Sequence, residues 1–353
     1  MSLPAPGPMG QHRNMREAGS RAGGGTAPGC PPAERIAEWV RAATMAPSMH
    51  NTQPWKFRIL RDDQTIEVRA DPERMLRHGD PHGRAVHIAC GAALFNLRIA
   101  VAAGDREPVT RLLPDPAEPL LLATVRLGGR HRTSEDERDL YAAIPERHTN
   151  RRPFSARPVP PGVLTELVQA AQLEGAVLDL PGDGETRRLL GVVADAETDL
   201  LADPGYRAEL ARWAGGERDQ DGIPASAAGP RDPRGRTPVR DFLGGAAQGY
   251  EWFEDPPQLA VLSTPGNGNE DWLRAGQALQ GVLLTATLRG IAAGILTQPL
   301  ETHDAWLVRD PAAGVAWPQL ILRLGYGLPV PATPRRPVRD VLIEEPPPGK
   351  YPE

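Results

Sequence analysis

Two long, apolar segments constrain the fold of this chain more than any other feature of its sequence. Residues 85–103 and 271–289 are rich in small and apolar side chains, and each is followed at once by a glycine, Gly104 or Gly290. Such segments form helices that are buried on most sides, and a glycine commonly ends a helix. Their similarity indicates an internal duplication. Two unrelated core helices would explain the same periodicity, and the pattern alone does not choose between them.

Shorter patterned segments surround these two helices. The apolar residues of 34–45 are spaced as on one face of a helix, whereas other runs are short and bounded by turn residues, as strands are. Further helices are predicted at about 161–173 and 185–200. Strands are predicted at about 56–60, 65–70, 120–126, 176–180, 258–263 and 318–326.

Two other stretches lack a clear periodicity. Residues 1–32 are dominated by Gly, Pro, Ala, Ser and Arg, with few large apolar side chains to bury, and we expect them to be disordered. Residues 203–257 are rich in Gly, Pro and Asp, and a segment of this kind inside a compact domain is usually a lid, a binding loop or a disordered region. This second stretch also carries apolar side chains that could cover an apolar ring: Trp213, Ile223, Phe242, Tyr250, Trp252 and Phe253.

The composition of the chain limits the kinds of molecule that it is expected to bind. The 40 Lys+Arg and 45 Asp+Glu residues give a formal net charge of -5, which predicts no nucleic-acid partner and favours a small molecule. Cys30 and Cys90 are too few for a disulfide framework, and we expect both to be free thiols. No segment approaches the run of roughly 20 apolar residues that spans a bilayer, and the N-terminus lacks the apolar core of a signal peptide. We therefore expect no membrane partner and a cytoplasmic localisation.

The most specific motif is the loop at residues 46–55, with the sequence APSMHNTQPW, directly after the first helix. Its prolines fix an irregular backbone, whose amide groups and the side chains of Ser48 and Asn51 could meet the polar edge of a planar ring. The alternative is a capping turn in which both side chains serve only the backbone. The motif resembles the P-S-x-x-N-x-Q-P-W element of the nitroreductase family, where this loop approaches the flavin across a dimer interface. The resemblance implies that the loop binds FMN through Pro47, Ser48, Met49, His50, Asn51 and Gln53.

A second segment, residues 147–154 with the sequence RHTNRRPF, resembles the R-x-S-x-R-x-F element of the same family, with threonine in place of serine. FMN carries a phosphate of about two negative charges and a ring that gains negative charge on reduction, so guanidinium groups and a hydroxyl suit its binding. The resemblance implies that Arg147, Thr149 and Arg151 hold the phosphate and the pyrimidine side of the ring.

Two segments near the end of the chain extend the resemblance. The family places basic residues after its last core strand to close over the phosphate, which here indicates Arg335 or Arg336; a solvated basic turn is the alternative. After its last long helix the family offers backbone N–H groups to flavin N5. Thr297 and Gln298 lie at this point, although the usual Glu-Gly pair of the family is missing.

Residues 34–345 together resemble the nitroreductase family, and most closely its single-chain, Acg-like branch of actinobacteria. The resemblance implies an α+β fold in which two related halves, residues 33–145 and 146–345, replace the usual homodimer and hold one FMN between them. Residues 203–257 would be a lid inserted in the second half, and residues 346–353 a short tail.

The resemblance also implies an activity: an oxidoreductase that passes electrons from NAD(P)H through FMN to an electron-poor acceptor such as a nitro or quinone compound. The residues would bind and tune the flavin without a catalytic acid or base, and the chain would work as a monomer. The alternative is an FMN storage or sequestration protein whose lid stays closed over the ring. We expect no metal, because no Cys or Glu framework accompanies the possible ligands His78, Asp80, His82 and His87.

Overall fold

The strands of this protein form two sheets, and each sheet packs against one of two long central helices. The computed structural model describes residues 30–302, 308 and 316–344. The segment predicted to be disordered therefore lies outside the described residues except for 30–32, and the tail at 346–353 lies outside them entirely. The described helices are α1 (Ala33–Thr44), α2 (Arg84–Ala103), α3 (Glu135–Ala143), α4 (Pro161–Leu173), α5 (Asp183–Ala202), α6 (Pro204–Trp213), α7 (Asn269–Leu288) and α8 (Val338–Val341). The described strands are β1 (Trp55–Leu60), β2 (Thr65–Ala70), β3 (Arg106–Leu112), β4 (Leu121–Arg130), β5 (Val177–Asp179), β6 (Gln258–Thr264), β7 (Ala292–Leu296), β8 (Trp317–Gly325) and β9 (Leu342–Glu344).

The first sheet has five strands in the order β3-β4-β2-β1-β9. β1 and β2 form the predicted hairpin, in which Trp55 lies opposite Ala70 and Leu60 opposite Thr65. β4 pairs antiparallel with both β2 and β3, whereas β9 pairs with β1 in parallel. A strand from the second half of the sequence thus completes the sheet of the first half.

The second sheet has four antiparallel strands in the order β5-β6-β8-β7. β8 is buried along all of its length except Trp317, as expected of a central strand. An isolated bridge between Thr149 and Ala293 attaches the segment around residue 149 to β7 at the edge of this sheet. This bridge holds the first part of the arginine-rich segment at 147–154 against β7.

The central helices α2 and α7 pack against each other through one glycine from each. A Cβ atom on Gly91 would lie 2.2 Å from the carbonyl oxygen of Leu273, and one on Gly276 would lie 2.0 Å from the carbonyl oxygen of Ile88. Gly91 and Gly276 are the eighth residues of their helices, and each helix has 20 residues. The contact is therefore reciprocal, as between two copies of one element, and it supports the predicted internal duplication.

Most predicted elements are present with bounds close to the predicted ones, but β3, α3, β7, α8 and β9 were not predicted. α3 begins with a capping box between Ser134 and Glu137, yet only Ala143 of this helix is buried, so its apolar periodicity is weak. The expectation that no segment is long and apolar enough to cross a bilayer was wrong, because α2 meets both criteria. α2 is instead a core helix, with most of its residues buried against the first sheet and α7.

Candidate ligand-binding site

A cavity of about 1150 Å³, its open mouth included, lies between residues of the two halves. Its polar side is formed by the loop at 46–55, by the segment at 147–151 and by Thr333 and Arg335, and four residues of the segment at 203–257 also line it. We call residues 203–257 the lid. The floor is apolar and comes from α2, α7, β7 and β8: Ile88, Ala89, Leu279, Ile295, Leu296 and Leu320. An apolar pocket with a few convergent polar groups is typical of sites for planar small molecules and cofactors.

The loop at 46–55 has an unusual backbone that turns its residues toward the cavity. His50, Asn51 and Gln53 have φ angles of 50°, 55° and 51°, in the left-handed region that is uncommon for residues other than glycine. The hydroxyl of Ser48 accepts a hydrogen bond from the Gln53 N–H at 2.9 Å, so it serves the backbone as a capping group would. Five of the predicted residues of this loop line the cavity: Pro47, Ser48, Met49, His50 and Asn51.

Asn51 ties the loop to two distant parts of the chain. Its amide nitrogen donates to the carbonyl oxygens of Gly222 in the lid and of Pro334, both at 3.0 Å. Its amide oxygen accepts from Arg335 at 3.2 Å. The side chain of Asn51 thus links the loop at 46–55 to the segment at 203–257 and to residues 334 and 335, and it also lines the cavity.

Arg147 and Arg335 lie together at one end of the cavity. Both donate to the carbonyl oxygen of Met45, at 3.3 Å and 3.2 Å, and Arg147 also lies 3.5 Å from the hydroxyl of Thr149. Burial and the neighbouring charges of Arg335 and Arg151 lower the pKa of Arg147 to about 9, and burial lowers the pKa of Arg335 to about 10. The Nε atoms of both side chains are buried and have no hydrogen-bonding partner among the described residues. Within the described ranges neither guanidinium forms an ion pair with a carboxylate.

Arg151 lies nearer the lid. Its guanidinium donates to the carbonyl oxygen of Ala227 at 3.1 Å and lies 5.1 Å from the ring centroid of Phe242. Burial and the charge of Arg240 lower its pKa to about 10. Arg151 therefore connects the polar side of the cavity to the segment at 203–257.

Three predicted residues do not line the cavity: Gln53, Gln298 and Arg336. Gln53 is fully buried and donates to the Gln220 carbonyl in the lid at 2.7 Å, while its own amide oxygen accepts from the Arg336 N–H at 2.9 Å. The Arg336 guanidinium lies 3.3 Å from Asp71 and donates to the Asp340 carbonyl at 2.9 Å. Of the two candidate arginines, only Arg335 reaches the cavity, because Arg336 turns to the opposite side of the chain and pairs with Asp71.

Thr297 lines the cavity at the end of β7 and is bound to a buried ion pair. Its hydroxyl donates to Glu301 Oε1 at 2.5 Å and accepts from Arg240 Nη2 at 3.3 Å. Arg240 belongs to the lid, and its Nη2 lies 2.6 Å from Glu301 Oε1. Tyr206, also in the lid, contacts both members of the pair.

The lid covers the cavity with four residues: Ile223, Val239, Arg240 and Phe242. Ile223 and Phe242 are two of the six apolar side chains that the sequence analysis named in this segment. The other candidates lie elsewhere: Trp213 faces Arg74, Phe253 packs near Arg323, and Tyr250 and Trp252 are exposed.

Sequence reasoning overlooked several cavity residues, notably Arg84, Asn150, Arg240 and Arg323. No motif marks these positions in a chain whose positive charge is almost entirely arginine. Arg323 forms a buried ion pair with Glu254, and Arg84 donates to the Gln319 carbonyl at 2.7 Å, so neither is as free of partners as Arg147.

Two of the three histidines considered as metal ligands have other contacts. His78 faces Asp203 at 3.3 Å, and the His87 ring lies 2.6 Å from the Gly83 carbonyl. Asp80 accepts hydrogen bonds from the N–H groups of Ala85 and Val86 and so caps α2. These contacts indicate that residues 78–83 form a turn that leads into α2 and is stabilised by hydrogen bonds.

Comparison with known proteins gives consistent matches. A sequence model of the nitroreductase family matches residues 27–103 and 144–326. A Mycobacterium tuberculosis H37Rv protein named "putative NAD(P)H nitroreductase" is 36% identical over 324 residues, which cover 88% of this chain and 92% of the relative. Another protein of that strain, whose name adds "acg" to the same words, is 33% identical over 314 residues, covering 86% of this chain and 93% of the relative.

Solved structures give weaker similarity. A nitroreductase with bound FMN from Desulfitobacterium hafniense is 15% identical, with a TM-score of 0.36, and the match covers 61% of this chain and 98% of that chain. The FMN-dependent nitroreductase NfnB of Mycobacterium smegmatis, in complex with NADPH, is 17% identical, with a TM-score of 0.34, over 56% of this chain and 96% of that chain. These TM-scores are low, so the similarity of this chain to known proteins rests on the sequence matches.

Proposed function

The chain belongs to the nitroreductase family, and we propose that it is an FMN-dependent oxidoreductase that takes electrons from NAD(P)H and passes them to an electron-poor acceptor such as a nitro or quinone compound. The names of the two mycobacterial relatives support the nicotinamide donor. The cavity between the halves is the site we assign to the flavin.

The observation that carries this proposal is the pair of guanidinium groups at Arg147 and Arg335. Arg147 is 3% exposed, and no carboxylate among the described residues compensates either charge. A buried cation without a counter-ion is costly, so a bound anion would stabilise this end of the cavity. A phosphate suits it, because it carries about two negative charges and accepts paired hydrogen bonds from guanidinium.

The rest of the cavity fits the other parts of FMN. Its apolar floor, which includes Ile88 and Leu279, can pack against a planar ring, and Thr149 offers a hydroxyl beside Arg147. When bound, FMN would supply the hydride chemistry. The protein's own residues would bind the phosphate, orient the ring against the floor, and exclude water beneath Ile223 and Phe242 of the lid.

A second function, FMN storage or sequestration, is favoured by the firm attachment of the lid. The carboxylate of Glu209 in the lid accepts hydrogen bonds from the N–H groups of Arg77 at 2.6 Å and Gly79 at 2.9 Å, and it is itself buried. The ion pair between Arg240 and Glu301 adds a second attachment beside the cavity. A lid fastened in this way would keep nicotinamide away from the flavin.

An absorption spectrum of the purified protein, recorded before and after anaerobic addition of NADH or NADPH, tests the two functions. Rapid bleaching of the flavin band supports the oxidoreductase. A yellow protein that releases FMN on denaturation but resists reduction supports storage. A colourless protein that does not bind added FMN would overturn both.

We further propose that residues 33–145 and 146–345 act as the two halves of one site, so that a single chain binds one FMN without a partner subunit. Arg147 and the loop at 46–55, which meet at the cavity, come from different halves. Light scattering combined with flavin quantitation measures this. Two FMN molecules per chain, or loss of flavin whenever a dimer dissociates, would contradict it.

A further inference from the structure

A short part of the lid, residues 218–223, lies against the first half of the chain, and we call it the strap. Its Gln220 carbonyl accepts a hydrogen bond from the Gln53 side chain at 2.7 Å. The adjacent Asp221 forms an ion pair with Arg74 at 2.7 Å. Successive residues of the strap thus fasten the lid to the first half.

Gly222 of the strap makes two hydrogen bonds with the loop at 46–55. Its N–H donates to the Asn51 carbonyl at 3.2 Å, and its own carbonyl accepts from the Asn51 amide at 3.0 Å. Gly222 has a φ angle of 72°, and a Cβ atom there would lie 2.6 Å from the Trp213 carbonyl oxygen, so a larger residue would strain this contact. The next residue, Ile223, lines the cavity, so the strap is fastened at the edge of the site.

The two side chains that hold the strap also hold the segment that carries Arg335. Asn51 accepts from the Arg335 guanidinium at 3.2 Å through Oδ1, and it donates to the strap through Nδ2. Gln53 accepts from the Arg336 N–H at 2.9 Å through Oε1, and it donates to the strap through Nε2. The two ends of one amide group cannot move independently. A displacement of Arg335 is therefore passed to the strap through Asn51.

The position of Arg335 depends on what lies at the anion-binding end of the cavity. Arg335 and Arg147 both donate to the Met45 carbonyl, so two positive charges lie close together. Burial, and next the charge of Arg335, lower the pKa of Arg147 to about 9. Repulsion between two buried cations favours their separation, whereas a phosphate bound to both removes it. A bound phosphate therefore favours the arrangement in which Arg335 meets Asn51.

We propose that the strap closes in response to the phosphate of the bound flavin, through Arg335 and the amide group of Asn51. While the anion-binding end is empty, the closed strap is less favoured, and FMN can enter beneath the lid. The phosphate then closes the strap behind it. A flavin without a phosphate, such as riboflavin, occupies the cavity without closing the strap. The inference rests on the proposed assignment of the cavity to FMN.

Hydrogen–deuterium exchange measures closure of the strap without any turnover. The apoprotein is compared with the protein in the presence of FMN, riboflavin or inorganic phosphate. The Gly222 amide is the reporter, because its N–H is bonded to the loop at 46–55, and the buried strand β8 is the internal reference. Sodium chloride at equal ionic strength controls for the general effect of phosphate as a salt. Quenching of flavin fluorescence establishes whether each flavin is bound.

We expect FMN to slow exchange of the Gly222 amide about tenfold more than riboflavin does, within the usual range of coupling between two sites. Phosphate alone should slow it progressively with concentration, and chloride should not. Equal effects of FMN and riboflavin, or no effect of FMN in a protein that binds it, would overturn the inference. If riboflavin does not bind, the phosphate titration decides, and unchanged exchange in phosphate overturns the inference.

Two variants separate the response of the strap from its attachment. Asn51→Leu keeps the size of the side chain and removes its amide, so FMN and phosphate should no longer slow exchange in the strap. Asp221→Asn is the matched control: it weakens the ion pair with Arg74 and should speed exchange in every state, while the response to FMN and phosphate persists. A full response in Asn51→Leu would overturn the inference.

The comparison on the unaltered protein decides the matter even if Asn51→Leu does not fold. Failure of the proposed function has a different signature, which is a protein that binds no FMN at all. In that case the phosphate titration still reports on the strap.

Discussion

Arg240 of the lid and Glu301 beyond β7 form a buried ion pair, with Arg240 Nη2 2.6 Å from Glu301 Oε1 and side chains 6% and 2% exposed. Removing one partner of such a pair leaves the other charge buried and typically costs about 3 to 5 kcal/mol. Since Thr297 is bonded to both residues, the pair links the lid to the end of β7, where the cavity begins.

We therefore predict that Arg240→Met loosens the lid, because Glu301 would lose its counter-ion. Flavin reduction by NAD(P)H in stopped-flow experiments should become faster than in the unaltered protein, and proteolysis within 203–257 should increase. Arg234→Met, which changes an exposed lid arginine outside the cavity, is the control. Equal reduction rates in all three proteins would mean that the ion pair does not hold the lid closed.

Arg147→Ala should weaken FMN binding by about 1.5 to 3 kcal/mol, the usual range for a hydrogen bond to a charged group. Fluorescence titration of the apoprotein with FMN measures the affinity. Arg152→Ala is a matched control in the same segment, because Arg152 is exposed and its guanidinium pairs with Glu251 at 3.1 Å. An affinity unaffected by Arg147→Ala would remove this residue from the flavin site.

Arg335 and Arg336 should separate ligand binding from stability. Arg335→Met should lower FMN affinity and cost less stability than Arg336→Met, because this guanidinium lines the cavity and donates to the Met45 carbonyl and Asn51 but pairs with no carboxylate among the described residues. Arg336→Met should cost about 1 to 3 kcal/mol of stability, since it deprives the buried Asp71 of a partner at 3.3 Å. Urea denaturation of the apoproteins and FMN titration together check this, and the reverse pattern would contradict it.

The stability of the protein should depend on Asp80 in a defined pH range. Burial raises the pKa of this carboxyl from 3.8 to about 6, although its hydrogen bonds from Ala85 and Val86 act in the opposite direction. Between these two values the folded state holds a proton that the unfolded state has lost, so the contribution of Asp80 to stability falls as the pH rises through this range and is constant above it.

We expect Asp80→Asn to remove this dependence, so that the variant gains stability relative to the unaltered protein between pH 4 and pH 7. Urea denaturation at several pH values measures the difference. Asp62→Asn at an exposed position controls for the general loss of one negative charge. A constant difference between Asp80→Asn and the unaltered protein across the range would show that the carboxyl titrates normally.

The contact of Gly91 with α7 should be intolerant of any side chain. Gly91→Ala places a methyl group 2.2 Å from a backbone oxygen, so the two helices must separate, and we expect a loss of about 1 to 3 kcal/mol or more. Gly191→Ala is a matched control within helix α5, where a Cβ meets nothing within 4 Å, and it should stabilise by up to about 1 kcal/mol. Equal free energies of unfolding for the two variants would contradict the close packing.

The sequence alone predicted the nitroreductase family and the α+β fold of two related halves, and both are confirmed. The family motif carried much of this, because several residue types recur at fixed spacing in the loop at 46–55. β3 and β9 were overlooked for a different reason. A strand at a sheet edge has only one neighbour, and its apolar residues need not alternate clearly.

The details of the site could not be predicted from the sequence, because they depend on contacts between residues that are distant along the chain. Arg335 and Arg336 are adjacent and chemically identical, and only Asp71, which the fold brings beside Arg336, distinguishes them. In the same way, Arg240 could not be recognised as the lid residue that meets Glu301. Periodicity and spacing report on neighbours along the chain, whereas these pairings arise from tertiary packing between segments that are distant in sequence.

The parallel pairing of β9 with β1 joins the two halves through one sheet. A homodimer can dissociate and exchange its subunits, but here residues 342–344 belong to the second half by sequence and to the first sheet by hydrogen bonding. A protease cut between the halves would leave each fragment short of part of its own sheet or of its covering. The short strand β9 therefore makes the edge of the first sheet depend on residues at the far end of the second half.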